Sequence, residues 1–301
     1  MSTSGRVIVP DEIEAQSSPY LSVWSSLILQ GSVLFVLCFG LYIALGILDL
    51  RPQGPLRVAL DLLMIALPLA LWLLFCWWRE RRAPLPRARL VIVVVITLLA
   101  ANAVSLPLSQ AVFQPERWLP LEGATQRILG YAFTGGVTQA LTLYLVVYFC
   151  AYPGLLRVRT DSLAYFASAA VAYSVIENIQ FLLRSEADPQ VMAVSVFFHW
   201  AVSLAMALLL SLGVSEVRFS RPAPFLLTLL FALSAFVYGA AITFRAGLVN
   251  ARFSLSGGSA SPLLALFLAA ALVVVVGVIV AFFYGTSARR SEESARAQRP
   301  T

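Results

Sequence analysis

The chain has 301 residues, 60% of them hydrophobic and 12% charged, with a mean hydropathy of +0.85 and a formal charge of +6. That composition excludes a soluble globular domain. Apolar runs of about 20 residues recur, the length that crosses a hydrocarbon core of roughly 30 Å, and they are continuous rather than alternating, which argues against a transmembrane barrel. The expected fold is an all-α polytopic transmembrane bundle of about eight spans.

In chain order, residues 1–22 form a polar, acidic tail with Arg6 alone. The tail lacks the basic start of a secretory signal, and the apolar stretch after it is too long for one. Spans are expected at 23–48, 58–78 and 90–113, with Pro68 and Pro107 inside the second and third. Proline is tolerated there when neighbours re-satisfy the freed backbone groups, and a kink is the usual result. Asp61, near one end of span two, is expected to reach the polar interface in a structural role. Residues 113–127 read as a loop, with Trp118 at head-group level. Further spans are expected at 128–152, 161–183, 191–214, 225–244 and 262–284. The domain plan is therefore a tail (1–22), a transmembrane domain (23–285) and a basic tail (286–301).

All 21 basic residues are arginines. They are dispersed over loops and a tail, as topology signals and contacts for anionic lipid head groups are; nucleic acid is not an expected partner. With eight spans, both termini share a side, and fourteen of the arginines fall on it against seven on the other. The positive-inside rule then makes the termini of this integral membrane protein cytoplasmic. Cys38, Cys76 and Cys150 all fall in apolar spans and fit neither a disulfide framework nor a zinc ribbon.

The hairpin of spans five and six carries the chemistry. Glu177 is the acidic residue deepest inside an apolar stretch. His199 is the single histidine of the chain. The two lie symmetrically about residue 188, in the turn, so antiparallel helices place both roughly 10–15 Å from the turn end at about 1.5 Å per residue. An ionised carboxylate in hydrocarbon costs on the order of 2.5–3.5 kcal/mol by insertion scales, so it needs a partner. The expectation is a direct Glu177–His199 contact. Tyr173, Ser174 and Gln180 neighbour Glu177, and Ser195 and Ser203 flank His199 on one face. Thr138, Gln139 and Thr142 follow Gly135 and Gly136 on span four. There, helix packing through small residues and hydroxyls bonded back to their own helix is the simplest reading. Glu177 and His199 could act on water as general base and tuner, relay protons, or contribute to a metal site. They could equally form a buried pair that fixes helix register. A zinc site needs three protein ligands plus water, and the sequence supplies no second histidine.

The segments ERWLPL (116–121) and RILGYAFTGGVTQALTLYLVVY (127–148), Asp161, Tyr165, ENIQFLL (177–183) and HWAVSLAMALLLSLG (199–213) resemble the PrsW family of intramembrane proteases. These are relatives of the CAAX-type membrane proteases. The resemblance covers about residues 116–236. The family carries a Glu-Glu-x-x-Lys helix, an Asp and a Glu-Asn pair on the next span, a His on the following one and a second His later. Here Gln139 and Ala140 stand at the two glutamates, Leu143 at the lysine and Phe231 at the second histidine. The resemblance implies a bacterial plasma membrane, candidate catalytic residues Glu177, Asn178 and His199, and a membrane-protein substrate or partner besides lipids. A divalent metal such as zinc, if bound, would fall to Glu177 and His199. It further implies either a divergent protease with reduced or lost peptidase activity, or a non-catalytic protein that binds a membrane partner in the former substrate groove.

Overall fold

A computed structural model describes residues 23–48, 52–79, 87–152, 154–157, 159–185, 188–219, 224–250 and 262–297. The N-terminal tail 1–22, the arginine-bearing segment 80–86 and residues 298–301 lie outside the described residues. Among the described residues there is no strand, and eight helical stretches are long and apolar enough to cross a membrane. The chain is thus an all-α polytopic helical bundle, in a membrane environment with lipid contact.

The first two helices are α1 (Val23–Ile47) and α2 (Gly54–Arg79). Helix α3 (Arg87–Ala100) runs on through π-helical segments at Ala101–Ser105 and Leu108–Phe113. Pro107 sits between those segments, and the freed backbone is absorbed by wider turns. The loop expected over 113–127 is more ordered than a loop. Gln114 takes a left-handed conformation (φ 46°) and opens the short helix α4 (Pro115–Trp118). A 3-10 turn, Leu119–Leu121, leads to α5 (Ala124–Tyr131). A π-helical segment (Ala132–Gly136) then joins α5 to α6 (Val137–Cys150). The hairpin is α7 (Arg159–Arg184) and α8 (Pro189–Phe219), followed by α9 (Pro224–Asn250) and α10 (Pro262–Ala297). Helix α10 continues past the expected span end at 284 into the basic segment.

Helix α8 is the post around which the others stand. It packs against α7, α9, α10, α1 and α2, and 94% of its apolar window is buried, against 22–61% for the other seven spans. Its sequence allows this. Small residues (Ala201, Ser203, Ala205, Ala207, Ser211) alternate with Leu and Phe around the whole circumference, so neighbours approach on every side. Gly31 of α1, for example, receives the ring of Trp200.

Polar ties set the register around the post. Trp72 Nε1 donates to Ser168 Oγ at 2.9 Å, joining α2 to α7. Gln30 Nε2 donates to the Pro68 carbonyl at 2.7 Å, joining α1 to α2 at the proline inside the helix. Arg159 Nη1 and Glu216 Oε1 lie 2.5 Å apart, closing the far end of the hairpin. Asp61 differs from expectation. It is wholly buried and ion-paired to Arg57 one turn earlier at 3.8 Å, because the face of α2 that carries it turns into the bundle.

Glycines let α5 and α6 press against α9. A Cβ at Gly136 would collide with the Ala235 carbonyl, and one at Gly239 with the Ile128 carbonyl. Gly135 lies under the Tyr238 ring. The hydroxyls of Thr138 and Thr142 bond back to carbonyls of their own chain segment, at 2.8 Å.

Candidate functional site

The close approach of α5, α6 and α9 on one side of the hairpin leaves a cleft of about 820 Å³ on the side of the α7–α8 turn. Its mouth carries Ser109, Gln110, Glu116, Arg184 and Ser185. Arg184 donates to Gln110, tying the end of α7 to the π-helical end of α3. Deeper in, apolar walls from Leu106, Phe181 and Ile242 lead to Glu177, His199, Arg245, Tyr131 and Tyr238. Glu177 and His199 therefore face the same space.

They do not bond to each other. His199 Nδ1 lies 2.8 Å from Asn178 Oδ1. The Asn178 amide nitrogen donates to the Ser174 carbonyl one turn back, at 2.8 Å, which leaves its oxygen for the ring. Nδ1 must then donate, and Nε2 carries the lone pair. That lone pair faces Arg245 Nη1 at 3.3 Å. The guanidinium also donates from Nη2 to Ser195 Oγ at 2.6 Å and lies over the Phe198 ring, 4.5 Å from its centroid. His199 is thus a relay of orientation. A fully buried asparagine fixes its tautomer, and its other nitrogen holds an arginine.

Glu177 belongs to a second chain of contacts. Ser203 Oγ donates to Glu177 Oε2 at 3.4 Å, and Gln139 Nε2 donates to the same hydroxyl at 2.7 Å. The contact is long, so the carboxylate is held loosely and stays open to the cleft. Gln139 is fully buried, and its Oε1 has no partner. Tyr173, one turn before Glu177, bonds through its hydroxyl to Ser105 at 2.6 Å, and Gln180 reaches Asn102 at 3.5 Å. Ala140 and Leu143 are fully buried in the apolar core, and Phe231 packs partly buried at its edge.

The donor set does not fit a zinc site. Among the described residues no three His, Cys, Asp or Glu side chains come together, and the coordinating lone pair of His199 is turned to a guanidinium. Zinc needs that nitrogen and at least two further protein ligands.

Arg245 escapes a reading of the sequence alone. It directly follows Phe244 at the end of an apolar run, where an arginine ordinarily snorkels to the interface. The usable signal was its place along the bundle. It sits at the end of α9 that lies beside the turn of the hairpin, and Ser195 and His199 lie one turn apart on the helix it faces.

No protein-family model, curated protein or solved structure matches this chain.

Proposed function

We propose that this chain is a divergent PrsW-like membrane protein whose cleft binds a membrane-borne partner instead of hydrolysing peptides. The observation that carries the reading is the environment of His199. Its Nε2 lone pair is engaged by Arg245 at 3.3 Å, so it is not free to take a proton from water or to hold a metal. Neighbouring chemistry points the same way. Gln139 and Ala140 are inert where the resembled family has acids, and Leu143 and Phe231 offer no proton donor or acceptor. The arginine asymmetry supports cytoplasmic termini, and the resemblance supports a bacterial plasma membrane.

A specific observation favours a second reading, a residual hydrolase. The Glu177 carboxylate is open to the cleft and loosely held, as a general base on water would be. One experiment separates the two. Purified full-length protein in nanodiscs is offered synthetic transmembrane peptides, beside its Glu177→Gln variant. Binding predicts retention of a peptide or lipid without cleavage and no stoichiometric metal. Cleavage that disappears in Glu177→Gln overturns the binding reading.

A further inference from the structure

The inner end of the cleft presents two charged-type groups that the protein itself leaves incompletely used. Arg245 has five N–H bonds, of which His199 and Ser195 take two. Among the described residues no carboxylate lies within ion-pair distance of its guanidinium, and none of the basic groups pairs with Glu177. A cation and an acid thus line one cleft, each with only part of its hydrogen-bonding capacity used within the protein. Glu177 and Arg245 feel each other's charge only from beyond ion-pair distance, both lining the cleft, and a group that bridges them offsets the cost of holding both charges inside a membrane.

We infer that the cleft holds the zwitterionic headgroup of an aminophospholipid, its phosphate on Arg245 and its primary ammonium on Glu177. This rests on the binding reading above and names the ligand class. Charge complementarity carries it. A simple anion would satisfy Arg245 but be repelled by Glu177, and a simple cation the reverse. A phosphoethanolamine group supplies both charges within one small moiety and a matching donor for each acceptor. At about 820 Å³ the cleft lies within the range of roughly 300–1,000 Å³ typical of small-ligand sites. A polypeptide would have to bring an acidic and a basic side chain to one depth, which is a more demanding match.

The test uses full-length protein in detergent, titrated with single lipids and read by native mass spectrometry. Phosphatidylethanolamine is expected to bind roughly tenfold or more tightly than phosphatidylcholine, whose trimethylammonium donates no hydrogen bond; that is the loss of one charge-assisted bond. The mono- and dimethylated headgroups should fall in between. Glu177→Gln should erase the preference, and Arg245→Gln should weaken both lipids alike. The methylation series needs no variant, so it reads the proposal even where a variant folds poorly. Equal affinity for the two lipids overturns the proposal, and so does tighter binding of phosphatidylglycerol, which marks a plain anion site. If lipids compete for nothing while a transmembrane peptide crosslinks in the cleft, the headgroup assignment fails and the binding reading stands. Glu177-dependent cleavage of that peptide removes the binding reading itself.

Discussion

The bond between Asn178 and His199 is the most exposed point of the site, because the sequence alone pairs His199 with Glu177. Replacing His199 by Ala removes the Nδ1 donor at 2.8 Å and strands the Asn178 oxygen, which is fully buried. It also takes one of two side-chain anchors from Arg245. An unsatisfied buried acceptor costs about 1–3 kcal/mol, so His199→Ala should destabilise by about that amount. A double-mutant cycle isolates the pair. Side-chain hydrogen bonds between membrane helices are worth about 0.6 kcal/mol on average and up to about 1.7. His199→Ala with Asn178→Ala should give a coupling in that range. His199→Ala with Glu177→Ala should give a coupling near zero. The assay is equilibrium unfolding in mixed micelles, with the four proteins of each cycle measured side by side. A Glu177 coupling equal to or larger than the Asn178 coupling refutes the assignment of the ring to the asparagine.

Gly136→Ala should destabilise by about 1–3 kcal/mol, since the new methyl meets the Ala235 carbonyl and the helices must part; thermal melting in detergent reads it. Trp72→Phe loses the indole bond to Ser168 and should cost about 0.5–1.5 kcal/mol in the same assay. Gln139→Met should lie within about 1 kcal/mol of the parent, because it gives up one bond to Ser203 but removes a buried oxygen with no partner. Arg159→Ala should cost about 1 kcal/mol or less, and its difference from the parent should shrink as salt is raised from low to molar, the pair with Glu216 being only partly buried.

Much of the fold was legible because hydrocarbon imposes a length. Runs of apolar residues gave spans whose centres coincide with the helices, while their ends moved. Helix α8 begins at Pro189 and ends at Phe219, beyond the expected 191–214, since its ends are cradled by protein and need not stop at a bilayer edge. The site was legible only as a neighbourhood. Symmetry about the turn set Glu177 opposite His199, but Asn178 stands opposite His199, and Glu177 meets Ser203 one turn further along α8. Adjacent residues on a helix point about 100° apart, so a one-residue offset exchanges the partner entirely. Arg245 was hidden for a related reason. Its position says interface, and only the packing of α9 on α8 turns it inward. Asp61 shows the same limit in reverse: nearness to a helix end did not keep it from burial.

The central post has a consequence for how the protein meets different bilayers. With 31 residues, α8 is about 46 Å long, well beyond a hydrocarbon layer of roughly 30 Å. Surrounded by its own neighbours, it has almost no lipid boundary along which a thickness mismatch could act. Thinning or thickening the host membrane must therefore be taken up by the outer ring, by tilt of helices such as α2 and α10, while the innermost rod keeps its angle. Changes in lipid chain length would then reach the cleft through α9, which has one face toward lipid and the other against the rod.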